Sequence, residues 1–214
     1  MTKNNNVKGS VAISKRISAY LIDILIVFVI FSLTSEIKFI NPNYDKYIET
    51  YELYSEIVDD YTHGLITEDE MIILNSENYY YICKYSLSYN IVIVLGLVLY
   101  FGVFQKYNNG QTIGKKLMKI KVVCNSTNEN PSMIKYILRI VPMYYIYIGG
   151  MIPLIINTIL LYVLNKNNYM NITNTISCIF LLVSFVSFIM INIRKDKRGL
   201  QDLISNTNVI YEER

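Results

Sequence analysis

Arg16-Ile-Ser-Ala-Tyr-Leu-Ile-Asp23-Ile-Leu-Ile-Val-Phe-Val-Ile-Phe-Ser-Leu33 is the stretch that decides how this chain is read. From Ile17 to Leu33 it has the composition of a membrane helix, yet it carries Asp23 and is headed by Arg16. Ionisable groups in hydrocarbon are costly and mark function by default. Seven residues of helix place the two side chains about 10 Å apart along the axis and on nearly the same face, with Ala19 beside them. That face must look into protein or water.

The rest of the chain follows the same composition. Hydrophobic residues make up 52% and charged residues 17%, and the apolar ones lie in long runs rather than amphipathic stripes. The predicted spans cover residues 15–35, 85–105, 140–164 and 172–193. The last two hold charge-free runs of about 20 residues or more, enough for ~30 Å of lipid. The first is expected to be a retained signal anchor, because its apolar part is too long for a cleaved peptide and no small-x-small site follows.

Charge sets the orientation. The N-terminal tail through Arg16, the loop 106–139 and the tail 194–214 carry 16 of the 20 basic residues. The insert 36–84 holds three lysines against eleven acids. Positive-inside then puts both termini and the loop in the cytoplasm and the insert outside, which an even number of spans satisfies.

The outside insert reads as a helical hairpin. Tyr44, Tyr47, Ile48, Tyr51, Tyr54, Val58 and Tyr61 recur at helical spacing, and Thr67 with Glu70 forms a capping box that opens a second helix running toward the second span. Its acids would concentrate cations, or would simply solvate a tyrosine-cored cap. His63 beside Gly64 reads as a turn residue. Cys83, Cys124 and Cys178 fall in different compartments, so no disulfide is implied, and no metal cluster, cofactor loop or nucleophile–base pair marks an enzyme. No nucleic-acid partner is expected.

The third span carries breakers, Pro142, Gly149, Gly150 and Pro153. They either interrupt the helix, as at transporter ion sites, or serve packing. In the loop, Gly110-Gln-Thr112-Ile-Gly114-Lys115-Lys116 looks superficially like a phosphate-binding loop, but the glycines are too close and Lys116 stands where Ser or Thr should hold magnesium. Lys119–Val123 and Thr207–Tyr211 alternate and are rich in branched residues, so they are predicted to pair beneath the membrane; the basic residues around them also suit lipid headgroups.

Three separated motifs together resemble the RDD family: Arg16-x-x-Ala19-x-x-x-Asp23, Gly110-Gln-Thr112-Ile-Gly114-Lys115, and Arg198-Gly-Leu-Gln-Asp202 followed by Thr207. The family's name-giving arginine and two aspartates would be Arg16, Asp23 and Asp202. Members commonly have His before the second aspartate, where this chain has Gln201. The resemblance implies a membrane protein that handles ligands, with some members associated with sodium/proton antiport, and heavy use of Asn, Ile, Lys and Tyr suggests an AT-rich bacterial genome and hence the bacterial plasma membrane. On that reading Asp23 would exchange a proton for Na⁺, Li⁺ or K⁺, with Asp202 at the cytoplasmic end of the path. The alternative is a non-enzymatic accessory or assembly protein in which Arg16, Asp23, Arg139, Arg198 and Asp202 form a structural ion-pair clamp. Four spans leave little room for internal repeats, so a homo-oligomer or a membrane protein partner is expected in addition to the lipid bilayer. The predicted fold class is an all-α membrane protein over residues 1–214, with four transmembrane helices, an outer helical hairpin and a short cytoplasmic β-pair.

Overall fold

The computed structural model describes residues 11–142, 144–145 and 149–212. Among the described residues, three helices are long and apolar enough to cross a membrane: α1 (Ile13–Ser35), α4 (Leu87–Tyr107) and a C-terminal helix over Lys166–Ile193. Contacts divide the chain into two compact units, residues 1–29, 95–151 and 180–214 in the first and residues 30–94 and 152–179 in the second.

The second unit contains the predicted hairpin, α2 (Tyr44–Thr62) and α3 (Glu68–Tyr85). Thr67 opens α3 as read from the sequence: its hydroxyl accepts from the Glu70 amide while the Glu70 carboxylate accepts from the Thr67 amide at 2.8 Å. Tyrosines stack along α2, Tyr47 on Tyr51 and Tyr51 on Tyr54, and Tyr54 meets Tyr79 of α3 at 6.5 Å between ring centres. The helix ends at Tyr85 and restarts at Leu87, so α3 does not run unbroken into the second span. Tyr169, fully buried, closes this unit by packing on Tyr79 and Tyr80 and donating to the Asn157 carbonyl.

The first unit is built on the two strands predicted to pair. β1 (Ile120–Cys124) runs antiparallel to the C-terminal strand Thr207–Tyr211, with Val122 opposite Val209. These two valines pack with Val11, Ala19, Ile120 and Tyr136 in a buried cluster. α4 contains a π-helical stretch, Val98–Phe104, whose Gly102 lies beside the Met133 and Ile137 side chains. Those two residues belong to α6 (Met133–Ile140), which follows a one-turn helix α5 (Ile113–Leu117) and β1.

The span predicted over 140–164 is not one helix. α6 ends two residues before Pro142, whose ring disfavours helical backbone in the residue ahead of it. Two-residue strands β2 (Tyr144–Tyr145) and β3 (Gly149–Gly150) then pair antiparallel, and α7 (Met151–Val163) follows. Its 13 residues cover ~20 Å, short of a bilayer core. Pro142, Gly149 and Gly150 thus fall between α6 and α7, and among the described residues three helices are long enough to span, the fourth expected span holding the shorter helix α7. The long helix Lys166–Ile193 is α8; the short helix Leu200–Ile204 is α9, and the tail strand Thr207–Tyr211 is β4.

Candidate functional site

The intramembrane carboxylate of Asp23 is 1% exposed, and the loop motif Gly110–Lys115 wraps it. Thr112 caps α5, its hydroxyl accepting from the Lys115 amide, and the same hydroxyl donates to Asp23 Oδ2 at 2.5 Å. The Gly114 amide donates to Asp23 Oδ1 at 2.8 Å, the Tyr100 hydroxyl donates to the same oxygen at 2.7 Å, and Lys115 Nζ lies 3.9 Å from Oδ2. Glycine is required at 114 because a methyl group there would collide with the Ala19 carbonyl oxygen. Ala19, 2% exposed, is thus the small residue that lets the loop reach α1. The likeness to a phosphate loop has a physical basis: a hydroxyl, a backbone amide and an ammonium converge on an anion, and the anion is the protein's own aspartate.

The loop is stitched from behind. Gly110 has φ +85° and sits tight against the Val122 carbonyl. Its own carbonyl accepts from Gln105 Nε2 and the Val122 amide, both at 3.0 Å, while Gln111 Nε2 donates to the Ile120 carbonyl at 3.0 Å. Lys115, buried over the Phe101 ring, has its ammonium pushed down to about 8 by burial, with Asp23 opposing the shift.

Asp202 anchors a second cluster. It is fully buried at the start of α9, where its Oδ2 accepts from the Gly199 amide at 3.1 Å; Gly199 has no side chain, so this is half of a capping box. Arg16 Nη1 donates to Oδ2 at 3.2 Å and Arg139 Nη1 donates to Oδ1. Arg139 also donates to the Thr207 hydroxyl. Since Ser205 donates to the Gln201 carbonyl at 2.6 Å, the Thr207 proton goes to Ser205 Oγ. Arg198 ties the turn together, donating to the Thr207 and Asp202 carbonyls at 3.0 Å.

All eleven residues singled out from the sequence therefore fall in the first unit, in two linked clusters: Asp23 with Ala19, Gly110, Thr112, Gly114 and Lys115, and Asp202 with Arg16, Arg139, Arg198 and Thr207. Sequence reasoning missed Tyr100 and Gln105. Ser187, a polar residue inside a span that reads from the sequence as interhelical glue, accepts from the Leu200 amide at 2.9 Å and donates to Gln201 Oε1. A polar residue within an apolar run is the signal that could have found each. Between the clusters lies a cavity of about 240 Å³, walled by Arg16, Asp23, Lys115, Arg139, Gln105, Gln201 and apolar side chains including Ile13, Ile17 and Phe188.

This is a helical membrane protein whose charged groups gather where α1 begins and where α4 and α8 end. The chain belongs to the RDD family, whose sequence model matches residues 11–206. No curated protein and no solved structure matches it.

Proposed function

We propose that the chain is a non-enzymatic membrane protein in which Arg16, Asp23 and Asp202 act as a clamp, fastening the loop and the tail to the first membrane helix. The observation that carries this is saturation: each oxygen of both aspartates already accepts from protein donors. A buried charge so satisfied is costly to disturb. Exchange of protons for Na⁺, Li⁺ or K⁺ would require Asp23 to release Tyr100, Thr112 and Gly114 in each cycle.

The pairing of β1 with β4 and the bond from Arg16 to Asp202 support placing the α1 N-terminus, the loop and the tail on one side. By the positive-inside rule that side is the cytoplasm. α8 then crosses once, so the chain between Ile140 and Lys166 must also cross once, using α7 and the paired strands β2 and β3 ahead of it. Such backbone is tolerated at membrane depth where protein buries it.

Proteoliposomes test the clamp against transport. Folded wild type is expected to show no proton movement under Na⁺, Li⁺ or K⁺ gradients, and Asp23→Asn to lower the melting temperature. Cation-dependent proton flux, lost in an Asp23→Asn protein that reconstitutes equally, would replace the clamp with transport.

A further inference from the structure

The cavity between the two clusters holds an imbalance of charge. Arg16, Lys115 and Arg139 stand on its wall, Asp23 is the acid among its lining residues, and Asp202 lies behind, engaged by both arginines. Three cations against two carboxylates leave one net positive charge in a buried site, and each carboxylate oxygen already accepts from at least one protein donor. Arg16, its side chain 9% exposed, has an Nε with no hydrogen-bond partner. A buried unpaired donor on a charged group is among the more costly features a protein keeps. The rest of the wall is mostly apolar, and Ile17 and Phe188 both line the cavity and are exposed, at 36% and 44%. In a membrane, apolar residues that are both lining and exposed give an apolar chain a way out.

We propose that this cavity is a binding site for an anionic amphiphile, a carboxylate or phosphate-monoester headgroup on a single apolar chain, with the headgroup accepting from the Arg16 guanidinium and the chain lying past Ile17 and Phe188. The headgroup supplies the missing negative charge and acceptor; the chain matches the wall. A free inorganic anion would satisfy the first and leave the apolar wall unfilled. A cationic amphiphile would add to the excess positive charge.

The test uses the full chain in nanodiscs of zwitterionic lipid, with radiolabelled dodecyl phosphate as the probe. Saturable binding is expected, displaced by dodecanoate but not by inorganic phosphate, dodecylphosphocholine or dodecyltrimethylammonium. Arg16→Gln should weaken binding about tenfold or more, the scale of one charge-assisted hydrogen bond. Because Arg16 also serves the clamp, Ile17→Trp provides a second variant: it fills the exit without touching a charge, and should weaken binding as strongly while leaving the melting temperature unchanged. Absence of saturable binding to folded wild type, equal displacement by any of the three non-competitors, or unaltered binding in a folded Ile17→Trp would each overturn the proposal. The clamp is judged separately, by melting temperatures without ligand.

Discussion

Asp23 is held by a hydroxyl from a membrane helix, a hydroxyl and an amide from a loop, and a lysine, so its neighbours respond in different ways to substitution. Gly114→Ala forces a methyl against the Ala19 carbonyl and should cost about 1–3 kcal/mol, read as a lower midpoint of thermal unfolding in detergent. Lys115 gives a pH signature. Its ordinary value is 10.5 and burial brings it to about 8, so between those values the unfolded chain binds more protons than the folded one. Stability therefore rises with pH across that window, by up to about 1.4 kcal/mol per unit. The melting temperature of wild type, measured against that of Lys115→Met, should climb from pH 8 toward pH 10. A flat difference would show that Lys115 keeps an ordinary affinity for its proton.

At the scale of elements, local sequence governed helix starts and tertiary contacts governed how far helices run. Thr67 and Glu70 form their capping box on an exposed surface with no help from packing, so Thr67→Ala should cost about 1 kcal/mol and speed amide exchange over the first turn of α3, leaving α2 unchanged. The β1–β4 pair was legible from alternation alone, and its observed start lies one residue beyond the expected one. Whether the 140–164 run is broken stayed open in the sequence because hydropathy counts apolar side chains and ignores backbone. Pro142 and the Gly149–Gly150 pair break the helix although the segment is apolar enough to span.

For the whole molecule, topology is open to direct measurement. In a background with Cys83, Cys124 and Cys178 replaced by serine, cysteines introduced as Glu68→Cys in the hairpin, Ser126→Cys in the loop and Glu212→Cys in the tail report sidedness. A membrane-impermeant maleimide should reach the first in intact cells and the other two only after permeabilisation. Loop and tail labelled from opposite sides would be incompatible with the β1–β4 register.

The sequence alone marked this chain as a membrane protein, placed most of its helices and singled out the charged residues that the fold gathers, because hydrophobic runs and isolated intramembrane charges are local signals. It could not determine who partners those charges. Asp23 and Gly114 are far apart in sequence, as are Arg16 and Asp202, and only the folded chain shows that the loop's amide and hydroxyl spend themselves on an aspartate instead of a phosphate. The cavity and the unpaired Nε of Arg16 belong to the same category. They arise from the balance of donors and acceptors after every other contact is made, and that balance exists only in three dimensions.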